Sequence, residues 1–95
     1  MSYAVVWREN DGPACAGLVE LDDRCFELSQ DRRVRYCDLA DVYLERRSGG
    51  SASSRPSLIL ICHDGTRLQI ESLEGLGALH ELAGELVEAR GKVAV

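Results

Sequence analysis

Apolar and polar residues alternate along most of the chain before residue 72, and this pattern is typical of β strands because successive strand side chains point to opposite faces of a sheet. The alternation predicts strands at Tyr3–Glu9, Cys15–Leu21, Cys25–Ser29, Arg33–Cys37 and Val42–Arg47. The apolar run Leu58–Cys62 and the segment Thr66–Glu71, on either side of the turn Asp64-Gly65, predict two more strands. These segments indicate a small antiparallel sheet.

A helical period replaces the alternation near the end of the chain. The apolar residues that recur at helical spacing are Leu76, Leu79, Leu82, Ala83, Leu86 and Val87. They predict one amphipathic helix over roughly Leu76 to Arg90, with Ser72 as its N-cap and Gly91 as its C-cap. The expected core contacts are those of Leu79, Leu82 and Leu86 with Val19, Phe26 or Tyr36. The fold class is therefore mainly β, with about seven antiparallel strands closed by one helix.

The middle of the chain predicts a hairpin, formed by Arg33–Cys37 and Val42–Arg47 around the turn Asp38–Asp41. Parity within each strand then assigns the two faces. The residues expected to face the core are Val34, Tyr36, Val42 and Leu44, and those expected outside are Arg33, Arg35, Tyr43, Glu45 and Arg47. In this arrangement Arg33 can pair with Glu45. The segment Ser48–Ser54, rich in Gly and Ser, is predicted to be a loop.

Length, charge and composition limit the functional classes. The 95 residues are enough for one domain, residues 1–95, and the 45% apolar fraction is that of a globular protein. A net charge of −5 disfavours nucleic acid and anionic membranes as partners. The N-terminus has no signal-peptide pattern, so we expect a cytoplasmic protein. Every cation except Lys92 is Arg, which suggests a bacterial genome rich in GC.

Four cysteines could form two disulfides, but a reducing compartment favours free thiols. We expect Cys15, Cys25, Cys37 and Cys62 to be free and buried.

The order of these elements resembles the pleckstrin-homology-like barrel. The resemblance covers nearly all 95 residues, and the segments that carry it are Gly17–Leu21, Val34–Val42, the late turn His63-Asp64-Gly65 and the Leu-rich final helix. The resemblance implies two near-orthogonal sheets with the helix closing one end. Lipid-binding members have a Lys/Arg-rich first hairpin, whereas this chain has Glu9-Asn10-Asp11-Gly12-Pro13 there. The chain is more similar to the short bacterial members.

No group of residues has the spacing of a catalytic or metal site. Cys62-His63-Asp64 contains the right side chains, but neighbours on a strand face opposite ways and cannot converge. The acidic pairs Asp22/Asp23 and Asp38/Asp41 lack the spacing of a calcium loop and fit turn chemistry. His80 is expected to be a surface side chain. We predict no enzyme activity, no cofactor and no metal.

Two features suggest contact with another protein. Both faces of Leu58–Cys62 are apolar, so Ile59 and Ile61 either form a partner or homodimer surface or are covered by a loop or the helix. Arg33, Arg35 and Arg47 lie on an arginine-rich hairpin that either binds an acidic partner or acts as a solvated edge. We predict a non-catalytic protein-interaction or self-association module. The alternative is a lipid- or small-ligand-binding module of the same fold, and an enzyme is the third class.

Overall fold

The fold is known from a computed structural model that describes residues 2–29, 32–45 and 56–93. These residues form seven strands and one α helix. The elements are β1 (Ser2–Glu9), β2 (Cys15–Leu21), β3 (Cys25–Ser29), β4 (Arg32–Arg35), a 3-10 turn (Tyr36–Asp38), β5 (Leu39–Glu45), β6 (Ser57–Cys62), β7 (Arg67–Ser72) and α1 (Leu76–Val93). The predicted mainly β class, with one C-terminal helix, is confirmed.

All seven strands belong to one antiparallel sheet with the order β4-β3-β2-β1-β7-β6-β5, curled into a half-barrel. The first strand lies at its centre, because β1 pairs with β2 on one side and with β7 on the other. The two halves of the chain therefore continue a single ladder of hydrogen bonds through β1. This order makes β4 and β5 the two edges of the sheet.

The predicted hairpin between residues 33–37 and 42–47 is wrong, because β4 pairs with β3 and β5 pairs with β6. The cause lies in the 3-10 turn between them. The Tyr36 hydroxyl donates to the Asp22 carbonyl oxygen at 2.7 Å, and the Tyr36 N–H donates to the Arg24 carbonyl oxygen at 3.0 Å. These bonds hold the chain beside the β2–β3 turn before it crosses to the opposite edge of the sheet.

The predicted inward and outward faces of these two strands are confirmed, although their partner strands differ from the prediction. The face of a side chain depends only on parity along its own strand. The inward residues Val34 and Tyr36 are buried, and Val42 and Leu44 pack against the core. The outward residues Arg33, Arg35, Tyr43 and Glu45 are exposed. The predicted Arg33–Glu45 pair is wrong, because Arg33 bonds to Glu27 and Glu45 to Arg67. Arg47 and the predicted loop at 48–54 lie outside the described residues.

One apolar cluster joins the concave face of the sheet to the helix. As predicted, Leu79, Leu82 and Leu86 belong to the same buried cluster as Val19, Phe26 and Tyr36. The rings of Phe26 and Tyr36 stack with their centroids 6.1 Å apart. The Tyr3 hydroxyl donates to Glu85 Oε2 at 2.7 Å and ties the middle of α1 to β1. Burial raises the pKa of Tyr3 above its ordinary value of 10.0, and the hydrogen bond to Glu85 raises it further.

Gly17 allows the sheet to curl between β2 and β3. A Cβ atom at this position would lie 2.1 Å from the Leu28 carbonyl oxygen, far inside van der Waals contact. The β2–β3 register covers only Glu20 with Glu27 and Leu21 with Phe26, so Leu28 crosses over β2 where pairing has stopped. A side chain at residue 17 would push this crossing apart.

The helix begins at Leu76 as predicted, but both of its predicted caps are wrong. Ser72 closes β7 instead of capping α1, and its hydroxyl accepts the Glu74 N–H at 3.0 Å. Gly75 precedes the helix with a φ of 106°, a left-handed conformation that turns the chain sharply from strand into helix and that favours glycine. The predicted C-cap Gly91 lies inside α1, which continues to Val93.

The four thiols are free, as predicted, but their predicted burial is only partly right. Cys62 is buried and Cys25 is half-buried, whereas Cys15 and Cys37 are exposed. Cys37 has the same parity as the outward residues Arg33 and Arg35, and it remains exposed in the 3-10 turn.

Candidate functional site

The outward side of β6 is less exposed than its sequence suggested. Ile59 has 0% of its surface exposed and Ile61 is half-buried. Ile59 lies opposite Tyr43 on β5 and Gln69 on β7, outside the cluster on the concave face. A contact of these two residues with another protein stays a prediction, but Ile59 offers no free apolar surface for it.

The arginines near β4 already face carboxylates of their own chain. Arg32 Nε lies 2.8 Å from Glu9 Oε1, Arg33 Nε donates to Glu27 Oε1 at 3.1 Å, and Arg35 Nε lies 3.4 Å from Asp38 Oδ2. The hydrogen bond and charge of Glu27 raise the pKa of Arg33. These contacts reduce the positive potential that would attract an acidic partner. A contact of Arg33, Arg35 and Arg47 with such a partner stays a prediction.

The Cys62-His63-Asp64 segment does not assemble a nucleophilic site. Cys62 is buried, and burial raises the pKa of its thiol, which makes the reactive thiolate scarcer. His63 and Asp64 are exposed in the β6–β7 turn. Asp64 Oδ1 accepts the Thr66 N–H at 2.9 Å, and this bond lowers the pKa of Asp64. The carboxylate therefore shapes the turn.

In the part of the chain that the structure describes, no three His, Cys, Asp or Glu side chains are grouped as metal ligands. Of the acidic pairs, Asp22 and Asp41 hydrogen-bond the N–H of the next residue at 2.9 Å in both cases, which is turn chemistry. His80 is exposed on α1.

The candidate site is a groove of about 460 Å³ at the N-terminal end of α1, which we call the helix-entry groove. The described residues that line it are Pro56, Glu71, Ser72, Leu73, Gly75, Leu76 and Leu79. Leu73 is 60% exposed and Leu76 is 45% exposed, whereas Leu79 is buried and belongs to the core. The groove therefore runs from solvent down to the apolar cluster beneath the helix.

Backbone hydrogen bonds hold both ends of the segment that carries the two exposed leucines. The Leu73 N–H donates to the Ala4 carbonyl oxygen at 2.9 Å, which extends the β7–β1 ladder by one residue. The Leu79 N–H donates to the Gly75 carbonyl oxygen at 3.3 Å and closes the first turn of α1. Leu73 and Leu76 are thus presented on a connection that is held at both ends, and little ordering is required when a ligand covers them.

The charge near the groove is negative. Glu71 lines it and Glu74 follows Leu73 directly, and both side chains are exposed. None of the described lining residues is a cation. Glu71 Oε1 also accepts a 3.4 Å bond from the Ser57 hydroxyl, which orients the carboxylate at the rim. The surface is therefore apolar at its centre and acidic at its edge.

Sequence reasoning missed this groove, although Leu73 carried a signal. Leu73 lies between the last strand and the helix, so it belongs to neither the period-2 nor the 3.6-residue apolar pattern. Its neighbours in this turn, Ser72, Glu74 and Gly75, are not apolar. Neither pattern therefore assigns the Leu73 side chain to the core, which indicates that it is exposed.

A scan against protein-family models matches no family, and a search of curated proteins finds no relative. Among the described residues, no helix has both the length and the apolarity that a membrane crossing requires. The helix-entry groove is therefore interpreted from its own geometry.

Proposed function

We propose that this chain is a non-catalytic protein-interaction module of the pleckstrin-homology-like type in a bacterial cytoplasm. The helix-entry groove is its binding surface. The curled sheet of seven antiparallel strands and its single C-terminal helix support the fold assignment. The occupant is an apolar segment of a partner protein, or of a second copy of this chain.

The observation that carries the proposal is the pair of exposed leucines above an apolar floor. Full burial of a Leu side chain contributes about 1.5–3 kcal/mol, so Leu73 and Leu76 can supply several kcal/mol between them. Apolar side chains that surround a pocket open to the core are the usual anchor points of an interface. A groove of this size favours a modest interface with a dissociation constant of about micromolar order.

The acidic rim sets the chemistry of the partner. With Glu71 and Glu74 at the edge and a net charge of −5, a segment that combines apolar residues with Lys or Arg is attracted, whereas an acidic segment is repelled. This rim charge mainly affects the association rate and specificity, so partner binding should weaken as salt is added.

A small apolar ligand is the second candidate, because the groove volume lies within the range of about 300–1,000 Å³ that small-molecule sites have. Against it stands the 60% exposure of Leu73, because a site for a small apolar ligand usually buries most of the ligand and this groove is open to solvent there.

Selection from a random peptide library on the immobilised protein tests the proposal. We expect enriched peptides that combine apolar residues with Lys or Arg. They should bind at least about tenfold more weakly to the Leu73→Ser/Leu76→Ser variant, because loss of about 1.4 kcal/mol of apolar contact is a tenfold change. The matched control is Val87→Ser, since Val87 is 51% exposed and lies on α1 about three turns beyond Leu76. Equal affinity for both variants would exclude the groove.

A further inference from the structure

The free edge of β5 is closed by a residue from the helix. Because β5 is the last strand in the sheet, one of its sides has no neighbouring strand among residues 2–29, 32–45 and 56–93. Such an edge is a template for pairing with another chain, and proteins normally block it. Arg90 lies against this edge: its Nε donates to the Leu39 carbonyl oxygen at 3.2 Å, and its Nη2 donates to the Ala40 carbonyl oxygen.

The backbone at this point is available to Arg90 because of an irregularity in β5. The β5–β6 register shifts between Leu39 and Asp41, so Ala40 has no opposite residue on β6. One residue further along, Asp41 Oδ1 accepts the Val42 N–H at 2.9 Å. Backbone groups of three of the first four residues of β5, Leu39, Ala40 and Val42, are thus engaged by side chains that a neighbouring strand would have to displace.

The opposite edge is blocked in a different way. The β4 strand has only four residues, three of which are arginines, and its register with β3 is irregular between Glu27 and Ser29. Shortness, charge and a bulge each discourage strand addition. The β5 strand has seven residues and alternates half-buried with exposed side chains over most of its length. Within the described residues, Arg90 and Asp41 are therefore the main obstacles to pairing along β5.

We propose that Arg90 is a clasp that keeps the β5 edge closed, and that loss of its hydrogen bonds allows β5 to pair with β5 of a second copy. A second copy is the chosen partner because the sheet is antiparallel throughout, and an antiparallel pair of identical edges satisfies two-fold symmetry. The clasp acts at the far end of α1 from the helix-entry groove. It does not depend on what the groove binds.

The test compares the wild type with Arg90→Met, which retains an apolar stem of similar length but removes every guanidinium donor. Arg90→Lys retains the positive charge, but a single ammonium group lacks the fork of two nitrogens with which the guanidinium donates to both carbonyl oxygens. The matched control is Arg35→Met, since Arg35 is an exposed arginine paired with Asp38 in the 3-10 turn beside β4. Circular dichroism and thermal melting first establish that all variants are folded.

Two measurements then decide the proposal. At low protein concentration, amides of Leu39–Glu45 in Arg90→Met should exchange at least about tenfold faster than in the wild type, the ratio expected from loss of one hydrogen bond to a charged donor. At about 100 μM, well above micromolar dissociation constants, light scattering should show a larger average mass for Arg90→Met than for the wild type and Arg35→Met. Unchanged exchange overturns the clasp. An unchanged mass overturns the pairing.

Discussion

A single apolar stripe on α1, formed by Leu79, Leu82 and Leu86, packs against the sheet. The two ends of the helix differ in whether the surface beside this stripe is open or covered. At the N-terminal end, backbone bonds from Leu73 and Leu79 hold the chain in place, while the side chains of Leu73 and Leu76 remain exposed. At the C-terminal end, the long side chain of Arg90 reaches across to the backbone of β5 and closes the contact. Burial of the stripe therefore fixes where the helix lies, and the residues at each end decide whether a partner can reach it.

The largest effect on stability is expected from truncating the apolar stripe that both ends of α1 share. Leu82 is buried in the core cluster at the middle of α1, so Leu82→Ala should lower the free energy of unfolding by about 2–5 kcal/mol, from lost contacts and the cavity left behind. Urea denaturation measures the change. His80→Ala, on the exposed side of the same helix, should change it by less than about 0.5 kcal/mol. Similar values for the two variants would contradict the packing.

A second experiment tests the close approach of β3 to β2 at Gly17 and compares it with a glycine on the helix. Gly17→Ala places a Cβ atom against the Leu28 carbonyl oxygen and should lower the free energy of unfolding by about 1–3 kcal/mol, the usual cost of overpacking. Gly84→Ala is the matched control, because the space around Gly84 on α1 is open. It should stabilise the protein by about 0.5–1 kcal/mol through higher helix propensity. A neutral Gly17→Ala would mean that β3 does not cross β2 closely.

A smaller effect is expected where the middle of the helix is tied to the sheet. Tyr3→Phe removes the hydrogen bond to Glu85 and should lower the free energy of unfolding by about 1 kcal/mol at neutral pH.

The pH dependence of the same variant sharpens this prediction. The folded-state pKa of Tyr3 is raised above the ordinary 10.0, so above pH 10 the unfolded chain loses a proton that the folded chain retains. The unfolded state then binds fewer protons, and stability falls as pH rises. The wild type should therefore lose more stability than Tyr3→Phe between pH 9 and pH 11, measured by urea denaturation. Parallel pH profiles would contradict the raised pKa.

Much of the fold follows from the apolar pattern, because parity and helical period act within each segment. The inward placement of Val19, Phe26 and Leu82 could be read directly from the sequence. Pairing between strands could not, because parity does not identify a strand's neighbour. The position of β5 at the far edge depends on the Tyr36 bonds to Asp22 and Arg24, which join residues that no short-range pattern relates.

The candidate site was harder to predict than the fold. The two-sided apolarity of β6 predicted that Ile59 was either covered by its own chain or in contact with another protein, and Ile59 is fully buried. The helix-entry groove instead exposes Leu73, which neither period includes, and Leu76, which the helical period assigned to the apolar face of α1. The contact of Arg90 with β5 could not be predicted from the sequence either. Arg90 is one of ten arginines, and only the folded chain brings it to Leu39.

The central claim is that the open end of α1 is a binding surface, and the most direct test is the affinity of one library-selected peptide for three proteins, measured by fluorescence anisotropy. Val87→Ser, on the exposed face of α1 away from the groove, should bind like the wild type, and Leu73→Ser/Leu76→Ser should bind at least about tenfold more weakly while retaining its thermal stability. Equal affinity of that peptide for the wild type and the double variant would contradict the assignment of the helix-entry groove.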